Sequence, residues 1–103
     1  MEPDNIVILS LHSPKEKVWG RLVSLTQAGV TIKGIELNSF DDWLHQILDA
    51  EPNVLPLPTV FYPMHRVERI ALDEPTGEIP SLAERFVNRV GISLLDYLQL
   101  PRT

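Results

Sequence analysis

The first third of the chain is organised by apolar and polar positions that alternate with the period of a strand. The run NIVILSL (5–11) is β-branched and almost continuously apolar, which suits a strand covered on both faces. HSPKE then turns the chain, with Ser13-Pro14 starting the turn and charges filling it. KVWGRLVSL (17–25) places Val18, Gly20 and Leu22 on one side and Trp19, Arg21 and Val23 on the other. After TQAG, where Gly29 can take a positive φ, VTIKGIEL (30–37) sets Val30, Ile32 and Gly34 against Thr31, Lys33 and Ile35. Glycine in mid-strand weakens pairing, so Gly20 marks a sharp bend or a close approach of backbones. Strongly bent strands with interior glycines are what a small barrel needs.

The period then changes. Phe40, Trp43, Leu44, Ile47 and Leu48 recur at helical spacing, predicting a helix over 39–50. Asn38 or Ser39 caps it, and Asp41 and Asp42 fall in its first turn. EPNVLPLP (51–58) holds three prolines and predicts an extended connection. Strands follow at 59–62 and 66–73, broken by Pro63. Ser81 and Glu84 form a capping box for a helix carrying Ala83, Phe86, Val87 and Val90 on one face; Gly91 ends it. Ser93 and Asp96 start a last helical turn with Leu94, Leu95 and Leu98. The order β-β-β-α-β-β-α-α predicts an α+β fold: a small bent antiparallel barrel of about five strands, with a helix inserted between strands 3 and 4 and a C-terminal helical pair. A chain of 103 residues is one domain by size, with the barrel over 5–73, the insertion over 39–50 and the helical extension over 81–99.

Composition narrows the function classes. At 44% hydrophobic and 22% charged the chain has an ordinary globular composition. Its apolar runs are far shorter than the ~20 residues of a membrane helix, which argues against a membrane partner. The acidic start MEPDN is unlike a signal peptide, and the absence of cysteine removes thiolate and Cys-type zinc chemistry; the expected location is cytoplasmic. A net charge of −5 argues against DNA, since phosphate neutralisation supplies most of that affinity. The charge is unevenly spread, however. Residues 15–33 hold Lys15, Lys17, Arg21 and Lys33 against Glu16, whereas 34–65 hold five acids and neither Lys nor Arg.

The blocks VWGRLVSLTQAGVTIKGIEL and VFYPMHRVERI resemble the Sm-like (LSm and Hfq-type) small-barrel superfamily, over residues 17–37 and 60–72. Gly20 and Leu22 match the G-x-L step of its first motif, Leu25 the apolar residue before the turn, and Val30 and Ile32 the third strand. Val67 and Ile70 match the apolar pair of the last strand, and His65 falls on the histidine of the Hfq-type Y-K-H turn, with Met64 on its lysine. The resemblance implies an SH3-like barrel that assembles through its fourth and fifth strands. It also carries departures. Thr26 and Thr31 stand where RNA-binding members have Asp and Asn, and Pro63-Met64 replaces an Arg-Gly pair.

Few residues form a chemical motif. His65 and Arg66 at a strand corner could face a nucleotide or carboxylate, or be only a solvated turn. Asp41 and His45 are i, i+4 neighbours, with Asp42 beside them, but no third ligand follows at a metal-binding spacing; the acids also suit a helix N-terminus, and no metal is expected. Trp19, Trp43, Phe61 and Tyr62 are base-stacking platforms on one reading and core on the other. No catalytic triad, phosphate loop or paired-carboxylate motif is present, so neither an enzyme nor a cofactor is expected. The expected function is a non-enzymatic, Sm-like assembly or binding module that forms a homo-oligomer, dimer or ring. The alternative is RNA or single-stranded nucleic acid held in a ring pore by His65, Arg66, Thr31 and Lys33; a metal-dependent or acid-base enzyme around Asp41 and His45 comes third.

Overall fold

A computed structural model of the protein describes residues 1–49 and 57–98. It is a small α+β domain with five antiparallel strands, β1 (Ile6–Leu11), β2 (Glu16–Leu25), β3 (Gly29–Glu36), β4 (Thr59–Pro63) and β5 (Val67–Leu72). The helices are α1 (Phe40–Asp49), α2 (Leu82–Val90) and the short α3 (Leu94–Leu98), and single 3₁₀ turns occupy Leu37–Ser39 and Met64–Arg66. Most of the proline-rich connection (residues 51–56) and the chain beyond residue 98 lie outside the described residues, as do the ends of the expected insertion and extension. By contact density the chain divides into two compact units, residues 1–39 with 57–72 and residues 40–56 with 73–103.

The first unit is the sheet, in the order β4-β3-β2-β1-β5. The expected closed barrel does not form: β4 and β5 lie at opposite ends of the order and do not pair. The reason lies in the short turn that joins them. Met64 N–H donates to the Ala28 carbonyl beyond the start of β3, and the Arg66 carbonyl accepts from His12 N–H beyond the end of β1. The two ends of the turn are thereby spent on different partners, and no ladder bonds β4 to β5.

One face of this sheet is the core. Val7, Leu9 and Leu11 of β1, Val18 and Leu22 of β2, and Val30 and Ile32 of β3 are buried, with Tyr62, Met64, Val67 and Ile70 packed against them. Every second residue of β1 enters it, as the period of a strand requires. The opposite face of β1 is not bare: Ile6 and Ile8 are half-buried and Ser10 is buried. Burying each aliphatic side chain contributes roughly 1.5–3 kcal/mol relative to leaving it in water.

Gly20 and Gly34 are direct cross-strand partners. Gly34 N–H donates outward to the Pro58 carbonyl, so the pair with Gly20 is of the non-hydrogen-bonded kind, in which Cα atoms approach most closely. A Cβ on Gly20 would lie 2.5 Å from the Gly34 Cα and closer still to the Lys33 carbonyl oxygen. Close approach, the second of the two roles expected of Gly20, is therefore what the pairing demands.

The second unit joins the inserted helix to the C-terminal ones. Trp43 of α1 stacks on Phe86 of α2 with ring centroids 5.4 Å apart, and Tyr97 of α3 meets Phe86 edge-on at 5.2 Å. Phe40, Trp43, Leu44, Phe86, Leu94 and Tyr97 are buried, whereas Leu48 and Val87, on the expected apolar stripes, are exposed. Arg85 spans the two longer helices, 2.6 Å from the Asp41 carboxylate and with its guanidinium 5.2 Å from the centre of the Phe40 ring. Side chains saturate the start of α2. Ser81 Oγ accepts from Glu84 N–H, Glu84 accepts from Ser81 N–H, and the two oxygens of Asp73 accept from Leu82 and Ala83 N–H. Gly91 closes the helix at φ 93°, with its N–H bonded to the Val87 carbonyl.

Substituting Gly20→Ala is expected to cost at least about 2 kcal/mol in urea unfolding, because the new methyl meets backbone and cannot be relieved by a rotamer change. An exposed glycine with open space around it, Gly77, supplies the control, although its φ of 59° will itself cost something on Gly77→Ala. A Gly20→Ala midpoint equal to wild type would show that β2 and β3 are not held in this register.

Candidate assembly interface

The ladder decides which peptide groups of the outer strands face away from the sheet. Hydrogen bonds from Gly34 to Pro58 and from Met64 to Ala28 fix the even-numbered residues of β4 as those bonded to β3. The peptide groups of Thr59 and Phe61 then point outward. On the other side, Leu22 N–H donates to Asn5, which assigns the odd residues of β1 to β2 and its even residues to β5. Ser10 and Ile8 face Arg69 and Ala71, so the peptide groups of Ile70 and Leu72 point outward. Among the described residues, the sheet thus ends in two unpaired edges.

These edges differ in their side chains. The β4 edge has no charge, and Phe61 is 52% exposed; its ring lies over Gly29, where a Cβ would stand 2.6 Å from the ring. Aromatic coverage of a glycine on the neighbouring strand explains why this large side chain can sit on the open face. The β5 edge presents Leu72, also exposed, beside the charged Glu68 and Arg69. Natural sheets usually guard free edges with charge, bulges or proline. β5 has a register shift opposite Ser10 and Leu11, and β4 ends in Pro63.

The corner between β4 and β5 holds His65 and Arg66. The imidazole of His65 is exposed and has no partner among the described residues. Arg66 is engaged: Nη2 donates to the Pro14 carbonyl at 3.0 Å and to Glu16 Oε1 at 3.3 Å, and Nε donates to the His12 carbonyl at 3.4 Å. Its fork ties this corner to the β1–β2 turn some 50 residues earlier. Thr31 and Lys33 stand on β3, opposite Phe61 and Thr59 and on the face away from the core. His65 and Arg66 are adjacent at the corner, while Thr31 and Lys33 form a separate pair along the strand.

Trp19 and Trp43 are buried and Tyr62 packs on the sheet core, so of the four candidate aromatic platforms Phe61 alone is exposed. Burial pushes the Tyr62 phenol above its ordinary value; the carboxylate of Glu16 adds to the rise, Arg66 opposes it and Glu36 adds again. Asp41 is committed to Arg85, His45 is exposed, and among the described residues no group of three metal-ligating side chains comes together. Sequence reading missed the edge position of Phe61, which depends on ladder parity, and the reach of Arg66, which depends on contacts distant in the chain.

Compared with protein-family profiles, curated proteins and solved structures, the chain matches none. What the fold defines is a class: a small α+β domain whose five-stranded antiparallel sheet is open at both edges. Among the described residues no helix is long and apolar enough to cross a membrane.

Replacing Arg66 by Ala is expected to lower the unfolding free energy by about 2 kcal/mol, the range for hydrogen bonds involving a charged group. Arg66→Lys should recover less than half of this, because an ammonium cannot span three acceptors as a fork does. Urea titrations of the two variants decide it, and equal stability of Arg66→Lys and wild type would count against the tie.

Tyr62 also gives the fold an alkaline limit. Its folded pKa is raised, so the folded state holds the phenol proton more tightly than the unfolded chain, whose value is about 10. The associated stability is fully present below pH ~10 and is lost as pH rises through the higher folded value. Thermal unfolding across that window should show wild type losing stability more steeply than Tyr62→Phe, and parallel curves would contradict the assignment.

Proposed function

We propose that this chain is a non-enzymatic, Sm-like assembly module whose copies join edge to edge, β4 of one protomer pairing with β5 of the next. The observation that carries this reading is the pair of unpaired edges with opposite-pointing ladders, one of them uncharged and bearing an exposed Phe61. Unlike edges brought together make a head-to-tail contact, and such a contact closes into a ring when its rotation allows. Main-chain hydrogen bonds supply the affinity in strand addition, and side chains on alternate positions supply the selectivity. The sequence resemblance supports the same reading. Gly20 and Leu22 fall on β2, Val30 and Ile32 on β3, and Val67 and Ile70 on β5, all with the spacing of the two Sm motifs. The assembled sheet is then the scaffold on which a binding face is repeated.

Proline is the selective probe, because it removes one N–H and is tolerated on an edge where that N–H faces outward. Light scattering coupled to size exclusion should give a mass of two or more protomers for wild type at micromolar concentration. Phe61→Pro on β4 and Leu72→Pro on β5 should each give the monomer mass, with circular dichroism unchanged. A wild-type monomer throughout that range would sink the proposal, as would proline variants that keep the wild-type mass.

A further inference from the structure

A second feature of the sheet unit lies away from the β4 edge. Register places Ser10 of β1 directly between Lys17 of β2 and Arg69 of β5. Residues in one cross-strand row project to the same face, so the two cations flank Ser10 with their Cα atoms about 10 Å apart, two strand spacings. Ser10 is 8% exposed.

A cleft of about 490 Å³ opens over this row, within the size range of small-molecule sites. Its walls carry both signs of charge: Lys15, Lys17 and Arg69 on one hand, Glu16, Glu36 and Glu68 on the other. Glu16 is taken by Arg66. Neither the three cations nor Glu36 and Glu68 make an ion pair among the described residues. Glu36 belongs to the Val18 row on the core face, so a polyanion over the Ser10 row would meet the free carboxylate of Glu68, while a simple cation would meet three free positive groups. A small molecule carrying one group of each sign satisfies both sets.

We infer that this cleft binds a small zwitterion, its carboxylate or phosphate held between Lys17 and Arg69 over the Ser10 hydroxyl and its ammonium group turned to Glu68. Arg69 supplies the planar fork suited to either oxyanion, Lys17 a point charge, and Ser10 a hydrogen-bond donor at the floor. The length of the ligand is limited to a few bonds by the cleft. Binding here needs one copy of the sheet unit and does not depend on edge pairing.

The test is an amide-resolved NMR titration at constant ionic strength. The probes are β-alanine and phosphoethanolamine as zwitterions, with acetate and inorganic phosphate as simple anions. Saturable shifts centred on Ser10, Lys17 and Arg69 are expected for at least one zwitterion, with at least tenfold weaker binding of the matching simple anion. Which zwitterion binds tells a carboxylate from a phosphate headgroup. Arg69→Gln, on an exposed position that leaves the core untouched, should weaken binding about tenfold, and Ser10→Ala should weaken it severalfold. The inference is overturned if no probe saturates, if the simple anions bind as well as the zwitterions, or if Arg69→Gln binds like wild type.

Discussion

The short turn from Met64 to Arg66 commits its two ends to different strands, and the form of the sheet depends on that division. Met64 N–H is bonded back to Ala28, at the turn that leads into β3, while the Arg66 carbonyl receives His12 N–H from the turn that follows β1. The guanidinium of Arg66 adds three donor contacts to the His12–Glu16 turn. A chain segment of three residues thus holds the far end of β4 and the near end of β5 to opposite sides of the order. Neither group bonds the other, and among the described residues the outer peptide groups of Thr59, Phe61, Ile70 and Leu72 stay unpaired. The corner that first drew notice for its histidine and arginine is, through Arg66, a structural tie.

The helical unit is held together on different terms. Its segments are separated by β4 and β5 in sequence, and aromatic rings do the joining: Trp43 from the insertion, Phe86 and Tyr97 from the C-terminal part. Rings at 5–6 Å, stacked or edge-on, gain a specific geometry in addition to the area they bury. Arg85 reinforces the same joint by placing its charge against Asp41 and its face towards Phe40. Polar economy at the start of α2 completes the unit. Every one of the N–H groups from Ser81 to Glu84 has a side-chain acceptor, so this helix end is already satisfied and offers no vacant anion site.

How far such a fold can be read from sequence depends on how far apart the participants lie. The alternation of Val7, Leu9 and Leu11 is a local pattern, and so is the three-residue spacing of Ser81 and Glu84 that becomes the reciprocal cap. Asp73 is another matter: it caps α2 from nine residues upstream, across a loop with no pattern to announce it. Gly20 was legible as unusual, but that its partner is Gly34 follows from register, which a single sequence does not state. The glycine content of β2 and β3, on which the expected barrel rests, speaks to close approach and says nothing about the bonds made at Met64 and Arg66. Phe61 shows the same limit. Its place between Val60 and Tyr62 suggests a core strand, and only its register opposite Thr31 puts it on the face away from the core.

The mixed charges around Ser10 and the uncharged edge at Phe61 set a contrast that bears on how the sheet resists wrong association. A free edge without charge invites strand addition by any extended chain, whereas one flanked by Glu68 and Arg69 accepts fewer partners. The register shift in β5 at Ser10 and Leu11 narrows the choice again, because a bulged strand matches a partner in only a few registers. The short β4 limits the number of bonds available to an intruder, and Pro63 removes a donor from its end. On the proposed edge-to-edge reading, β4 supplies the attraction and β5 the selectivity.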